Sequence, residues 1–127
     1  LVRSRGLGDV YKRTAVGRTI FPSRKEDKMA KNYDGMAVGA FELDNLVACF
    51  VALDAASKAA NVTIQSVERN RLKSGACVKI RGSVSDVNAA MEVALETAKP
   101  LGKIVSHTVI ASPSADTEVA LKMTINK

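Results

Sequence analysis

Residues 36–60, MAVGAFELDNLVACFVALDAASKAA, change their period near the midpoint. The run from Met36 to Leu43 reads as a strand. Asp44 follows it, and its carboxylate can accept the free amide hydrogens of a first helical turn. From Leu46 to Ala60 the spacing predicts a helix. Leu46, Phe50 and Leu53 fall on one stripe, which Val47 and Val51 widen. Asn61 suits a left-handed helix end. A strand that passes directly into a capped helix is the first half of a β-α unit, and the rest of the chain can be read outward from it.

Downstream, residues 62–68 (VTIQSVE) largely alternate and read as a second strand. Residues 69–75 are polar and contain Ser74-Gly75, so they form a loop. Cys77 to Ile80 is a third strand, with Val78 and Ile80 on one face. Ser83 caps a second helix, and Asp86 stands three residues on, a weaker form of the capping box. Val84, Val87, Met91, Ala94 and Ala98 make its apolar stripe. Pro100 and Gly102 end it. Residues 104–110 are rich in β-branched side chains and read as a fourth strand, which Pro113 breaks. Residues 116–123 form a short terminal helix. The order β-α-β-β-α-β predicts an α+β, ferredoxin-like fold. It has an antiparallel four-stranded sheet with both helices on one face. Fold class alone assigns no function.

Upstream, the chain changes character. It has 127 residues, of which 46% are apolar, 25% charged and 4% aromatic, a globular composition. Its net charge is +6 and its pI about 9.6, which at face value suggests nucleic acid or an anionic surface. Residues 1–28 hold eight basic and three acidic residues, +5, whereas residues 29–127 hold eleven and ten, +1. Residues 1–34 are therefore expected to be a basic, disordered leader and residues 35–127 the folded domain. Met29-Ala30-Lys31 is a possible initiation context that would leave residues 1–28 outside the working protein. The leader lacks the apolar core of a signal peptide, and no run of about 18 apolar residues could span a membrane. The near-neutral domain argues against nucleic acid as a partner. Two cysteines without CxxC spacing suit a reducing compartment. Gly6-Leu7-Gly8 lacks the remainder of a dinucleotide fingerprint. No nucleophile elbow, phosphate loop or acid–base pair points to an enzyme.

Three segments carry a family resemblance. Residues 46–62, LVACFVALDAASKAANV, are similar to the first helix of bacterial microcompartment (BMC) shell proteins, whose usual form is LVAAIEAADAMVKAANV. Residues 80–90, IRGSVSDVNAA, resemble their VRGDVGAVKAA. Leu101-Gly102, Val105-Ser106-His107 and Val109-Ile110 resemble their final strand, VGELVSHHVI. The likeness covers residues 36–123 in the unpermuted single-domain order. It implies a non-catalytic shell tile without a cofactor. Such tiles form cyclic hexamers that pack edge to edge around a set of enzymes in the cytoplasm. Their partners are copies of themselves, other shell proteins and the encapsulated enzymes.

The resemblance also implies site residues. The loop between the second and third strands lines the axial pore, here Arg71, Leu72, Lys73, Ser74 and Gly75. The family's loop is KIGSG; Lys73 stands where its first glycine is expected, and the spacing from Ser74-Gly75 to Arg81-Gly82 is one residue short. Lys73 either rings the pore with positive charge, which favours anions, or faces solvent. Lys58 matches the edge lysine that meets neighbouring hexamers, or is a cation near a helix C-terminus. Arg81 matches an arginine that holds the subunit fold and interface, or is a solvated strand-end charge. Ser112 replaces a common edge arginine, which implies a weaker flat sheet or a specialised tile. Cys77 could bind a metal or cluster as a six-fold ring, or be an ordinary strand thiol. Cys49 is expected in the core, and His107 to pack rather than catalyse. The rival function is a ferredoxin-like oligomer that binds and senses small metabolites.

Overall fold

The structure is a computed structural model that describes residues 32–70 and 74–123. The leader lies outside the described residues, apart from Asn32, Tyr33 and Asp34. So do Arg71, Leu72 and Lys73 of the loop. The chain divides into two units, Leu1–Tyr33 and Asp34–Lys127, and every element below belongs to the second.

The elements run β1 (Ala37–Leu43), α1 (Leu46–Ala59), β2 (Thr63–Arg69), β3 (Ala76–Gly82), α2 (Val84–Ala98), β4 (Ile104–Ile110) and α3 (Ala115–Met123). The strands form one sheet in the order β2-β3-β1-β4, with every neighbouring pair antiparallel. Each helical crossover joins strands separated by one other strand, which gives the split βαβ arrangement expected from the order of elements.

Strand parity divides the sheet into two faces. Phe41 and Leu43 of β1 and Val78 and Ile80 of β3 join the core with α1 and α2. That core is close-packed by small side chains. A Cβ built on Gly39 would lie 2.8 Å from Val87 Cγ1 and 2.9 Å from the Met91 thioether. Only glycine therefore lets α2 approach β1 this closely.

The buried face of α1 differs from the expected stripe. Ala48, Cys49, Ala52, Leu53 and Ala56 face the core, whereas Val47 is 67% and Phe50 56% exposed. Residues 46–53 are all apolar, so hydropathy leaves the helix's rotation undetermined, and the face turned to α2 and the sheet is built mostly from small residues, with Leu53 the one large side chain among them. Cys49 is buried as expected. On α2 the stripe holds for Val87, Met91, Ala94 and Ala98, with Ala90 added and Val84 exposed.

The α1 cap is displaced by one residue. Asn45, not Asp44, takes the position, and its Oδ1 accepts the Ala48 amide at 2.7 Å. The Asp44 carboxylate instead accepts the Lys103 amide at 2.9 Å. Ser83 caps α2 as expected: it accepts the Asp86 amide at 3.1 Å and donates to the Asp86 carboxylate at 2.9 Å.

Candidate functional site

The loop joining β2 and β3 is held at both described feet. The Asn70 amide donates to the Gly75 carbonyl at 3.1 Å. The Asn70 side chain donates to Glu42 Oε2 at 2.6 Å and to the Leu43 carbonyl at 3.5 Å. Ser74 makes a parallel bridge to Asn45. A Cβ on Gly75 would overlap the Leu43 carbonyl and lie 2.9 Å from Asp44 Cα, so the backbone passes too close to β1 for any side chain. The same corner binds the turn before β4. Asn45 Nδ2 donates to the Leu101 carbonyl at 3.1 Å, and the Asp44 amide to the Lys103 carbonyl at 3.1 Å. Of the expected loop residues, Ser74 is exposed and Gly75 buried.

The sheet face opposite α1 and α2 carries a polar cluster beneath α3. Arg81 is 0% exposed, which corrects the reading of a solvated strand-end charge. Its Nη1 donates to Glu118 Oε1 at 3.0 Å and to Gln65 Oε1 at 3.1 Å, and its Nη2 to Glu118 Oε2 and, at 3.0 Å, to the Met36 carbonyl. Beside it, buried Lys79 donates to Glu68 Oε2 at 2.9 Å and to the Leu121 carbonyl of α3 at 3.0 Å. Glu118 is the one buried residue among the described residues of α3, so the helix docks through one ion pair, Arg81–Glu118, and the Lys79 bond to the Leu121 carbonyl more than through apolar area. Two buried cations face two carboxylates, and each charge has its counter-charge.

The remaining site residues lie apart. Lys58 is exposed near the end of α1 and pairs with Asp54 at 2.8 Å. That exposed i,i+4 contact contributes about 0.3–0.5 kcal/mol, so little holds it in place. Ser112 is exposed beyond β4. His107 is exposed on β4 rather than packed, because it sits on an edge strand. Cys77 is half-buried on β3 and burial pushes its thiol up from the ordinary value, with Lys79 opposing. Burial likewise raises Cys49, whose Sγ donates to the Ala76 carbonyl at 3.7 Å. Among the described residues no group of three His, Cys, Asp or Glu side chains is placed to share an ion, and no helix is long and apolar enough to cross a membrane.

Glu42, Gln65, Lys79 and Glu118 are not among the expected site residues, and Asn70 is expected only as a member of the 69–75 loop. Asn70 and Glu42 are 28 residues apart, and Arg81 and Glu118 are 37 apart. No local period links residues so distant. The one available signal was alternation in β3, which sets Lys79 and Arg81 opposite Val78 and Ile80.

The described residues form a split βαβ domain with a framed β2–β3 loop. The BMC domain family matches residues 37–113, and the chain belongs to that family. It is 42% identical over 78 residues to the bacterial microcompartment shell protein PduT of Citrobacter freundii, covering 61% of this chain and 42% of that protein. It is 38% identical over 89 residues to the carboxysome shell protein CcmK2 of Synechococcus elongatus, covering 68% and 85%. A crystal structure of a microcompartment protein from Desulfitobacterium hafniense shares the fold, with a TM-score of 0.62 at 19% identity, over 87% of this chain and 55% of that one. The chain thus spans under half of PduT and most of CcmK2.

Proposed function

We propose that this chain is a structural shell subunit of a bacterial microcompartment. Copies close head to tail into a six-membered ring. Rings meet through an edge that contains Lys58 and Ser112, and the loop through Arg71, Leu72, Lys73, Ser74 and Gly75 lines a central opening for small metabolites. Residues 35–127 are the tile, and residues 1–34 are a separate basic leader. The subunit works inside the cell, with copies of itself, other shell proteins and enclosed enzymes as partners, and it catalyses nothing.

The observation that carries this reading is the distribution of exposed apolar side chains. The β2 edge presents Ile64 and Val67, and the β4 edge Val105 and Ile110, each between 37% and 42% exposed. Val47 and Phe50 add to the surface of α1, which packs against β2. Two different apolar edges on one sheet suit heterologous contact, in which one edge of a copy meets the other edge of the next, and a closed ring is the soluble outcome. The relatives' description as shell proteins supports this reading.

Native mass spectrometry tests the ring. The parent should give a hexamer, and Ile64→Glu should give monomers with unchanged far-UV circular dichroism. A monomeric or trimeric parent refutes the reading. For the opening, Lys73→Glu should reverse the anion preference of rings in a planar bilayer, because a cationic ring favours anions. An unchanged reversal potential removes Lys73 from the pore.

A further inference from the structure

We propose that Glu42 and Asn70 are a positioning pair that fixes where the β2–β3 loop leaves and re-enters the sheet. Both feet of the loop meet one four-residue stretch, Glu42 to Asn45, at the end of β1. The outgoing foot is held by the Asn70 side chain on Glu42 Oε2 at 2.6 Å. The returning foot is held by the Ser74 bridge to Asn45 and by the close passage of Gly75 over Leu43. The Asn70 amide joins the two feet through the Gly75 carbonyl at 3.1 Å.

The chemistry explains why these residue types serve. Glu42 supplies a fixed anion on β1, which lies between β3 and β4 inside the sheet. A bond from an amide N–H to a carboxylate is shorter and roughly twice as strong as its neutral counterpart. Asn70 offers two donors on a short side chain, and it spends them on Glu42 and on the Leu43 carbonyl. Asp44 and Asn45 tie the same stretch to the turn at Leu101 and Lys103. The loop is thereby referenced to the sheet and to α2, independently of which side chains it displays. The consequence for transport rests on the pore reading: in a ring, this pair sets how far each loop stands from the axis. The geometry of the pair does not depend on that reading.

Hydrogen exchange on the full-length chain tests the pair. Asn70→Asp sets two carboxylates against each other and should speed exchange of the Asn70 amide, which donates to the Gly75 carbonyl, at least about tenfold, the scale of one lost hydrogen bond to a charged group. Adding Glu42→Gln to Asn70→Asp restores a donor opposite an anion with the polarity reversed, and should return exchange to within about threefold of the parent. Glu42→Gln alone, which keeps the shape, should fall between the parent and Asn70→Asp. Exchange of α2 should not change in any of them. Unchanged exchange in Asn70→Asp, or no rescue in the double variant, overturns the proposal. If exchange behaves as expected but Lys73→Glu leaves selectivity unaltered, the pore reading fails and the positioning pair stands.

Discussion

Replacing Glu118 by Gln is the sharpest test of how α3 is held. The substitution keeps the shape and removes the charge. An amide NH2 then stands where Glu118 Oε2 accepted from Arg81 Nη2, so two donors face each other. Arg81 keeps Gln65 and the Met36 carbonyl, but its guanidinium is 0% exposed and has lost its counter-ion. Breaking a buried pair by removing one partner costs about 3–5 kcal/mol. The lower end applies here, because α3 buries little else and can swing away to let water reach Arg81. A domain of this size loses at least about 4 °C per kcal/mol, so about 3 kcal/mol becomes a fall of about 12 °C in Tm. Tm depends on protomer concentration in an oligomer, so all variants are melted at one concentration. Arg81→Met with Glu118→Leu removes both charges and should recover to within about 1 kcal/mol of the parent, since apolar replacements of buried pairs are often neutral. A Glu118→Gln variant that melts within about 3 °C of the parent would refute the view that charge docks this helix.

Two further outcomes follow from local geometry. Asn45→Ala loses the α1 cap and the Nδ2 bonds to the Leu101 carbonyl and the Asp44 carboxylate, and should cost about 1–2 kcal/mol in urea unfolding; Asn45→Ser keeps a cap acceptor without the Nδ2 donor and should recover only the cap's share, about 1 kcal/mol, so equal loss in both would locate the effect elsewhere. Burial holds both thiols above their ordinary value of 9.0. The unfolded chain therefore ionises first and binds fewer protons, and stability falls as pH rises above that value. Urea midpoints at pH 8 and pH 10 should drop more for the parent than for Cys49→Ala/Cys77→Ser, which lacks the thiol contribution; equal drops would contradict it.

The residue order is sufficient for the order of elements, the Ser83 cap, most of the α2 stripe and, through three motif segments, the family. These features are local: a period of two or 3.6, a capping side chain, or a run of residue types at fixed spacing. It did not determine the rotation of α1, because residues 46–53 are apolar on every side and the choice of face depends on how closely α2 approaches. The loop's sequence likewise named Ser74 and Gly75, while what holds them comes from β1. Nor could periodicity show that Arg81 is buried. Its partners Gln65 and Glu118 arrive from an edge strand and from a terminal helix, on the face opposite the core. The rotation of α1, the hold on the loop and the burial of Arg81 depend on contacts between segments far apart in the chain. A buried charge or a tight backbone passage is tolerated only where distant segments bring the matching donor, acceptor or empty space, and that match exists only once the sheet has formed.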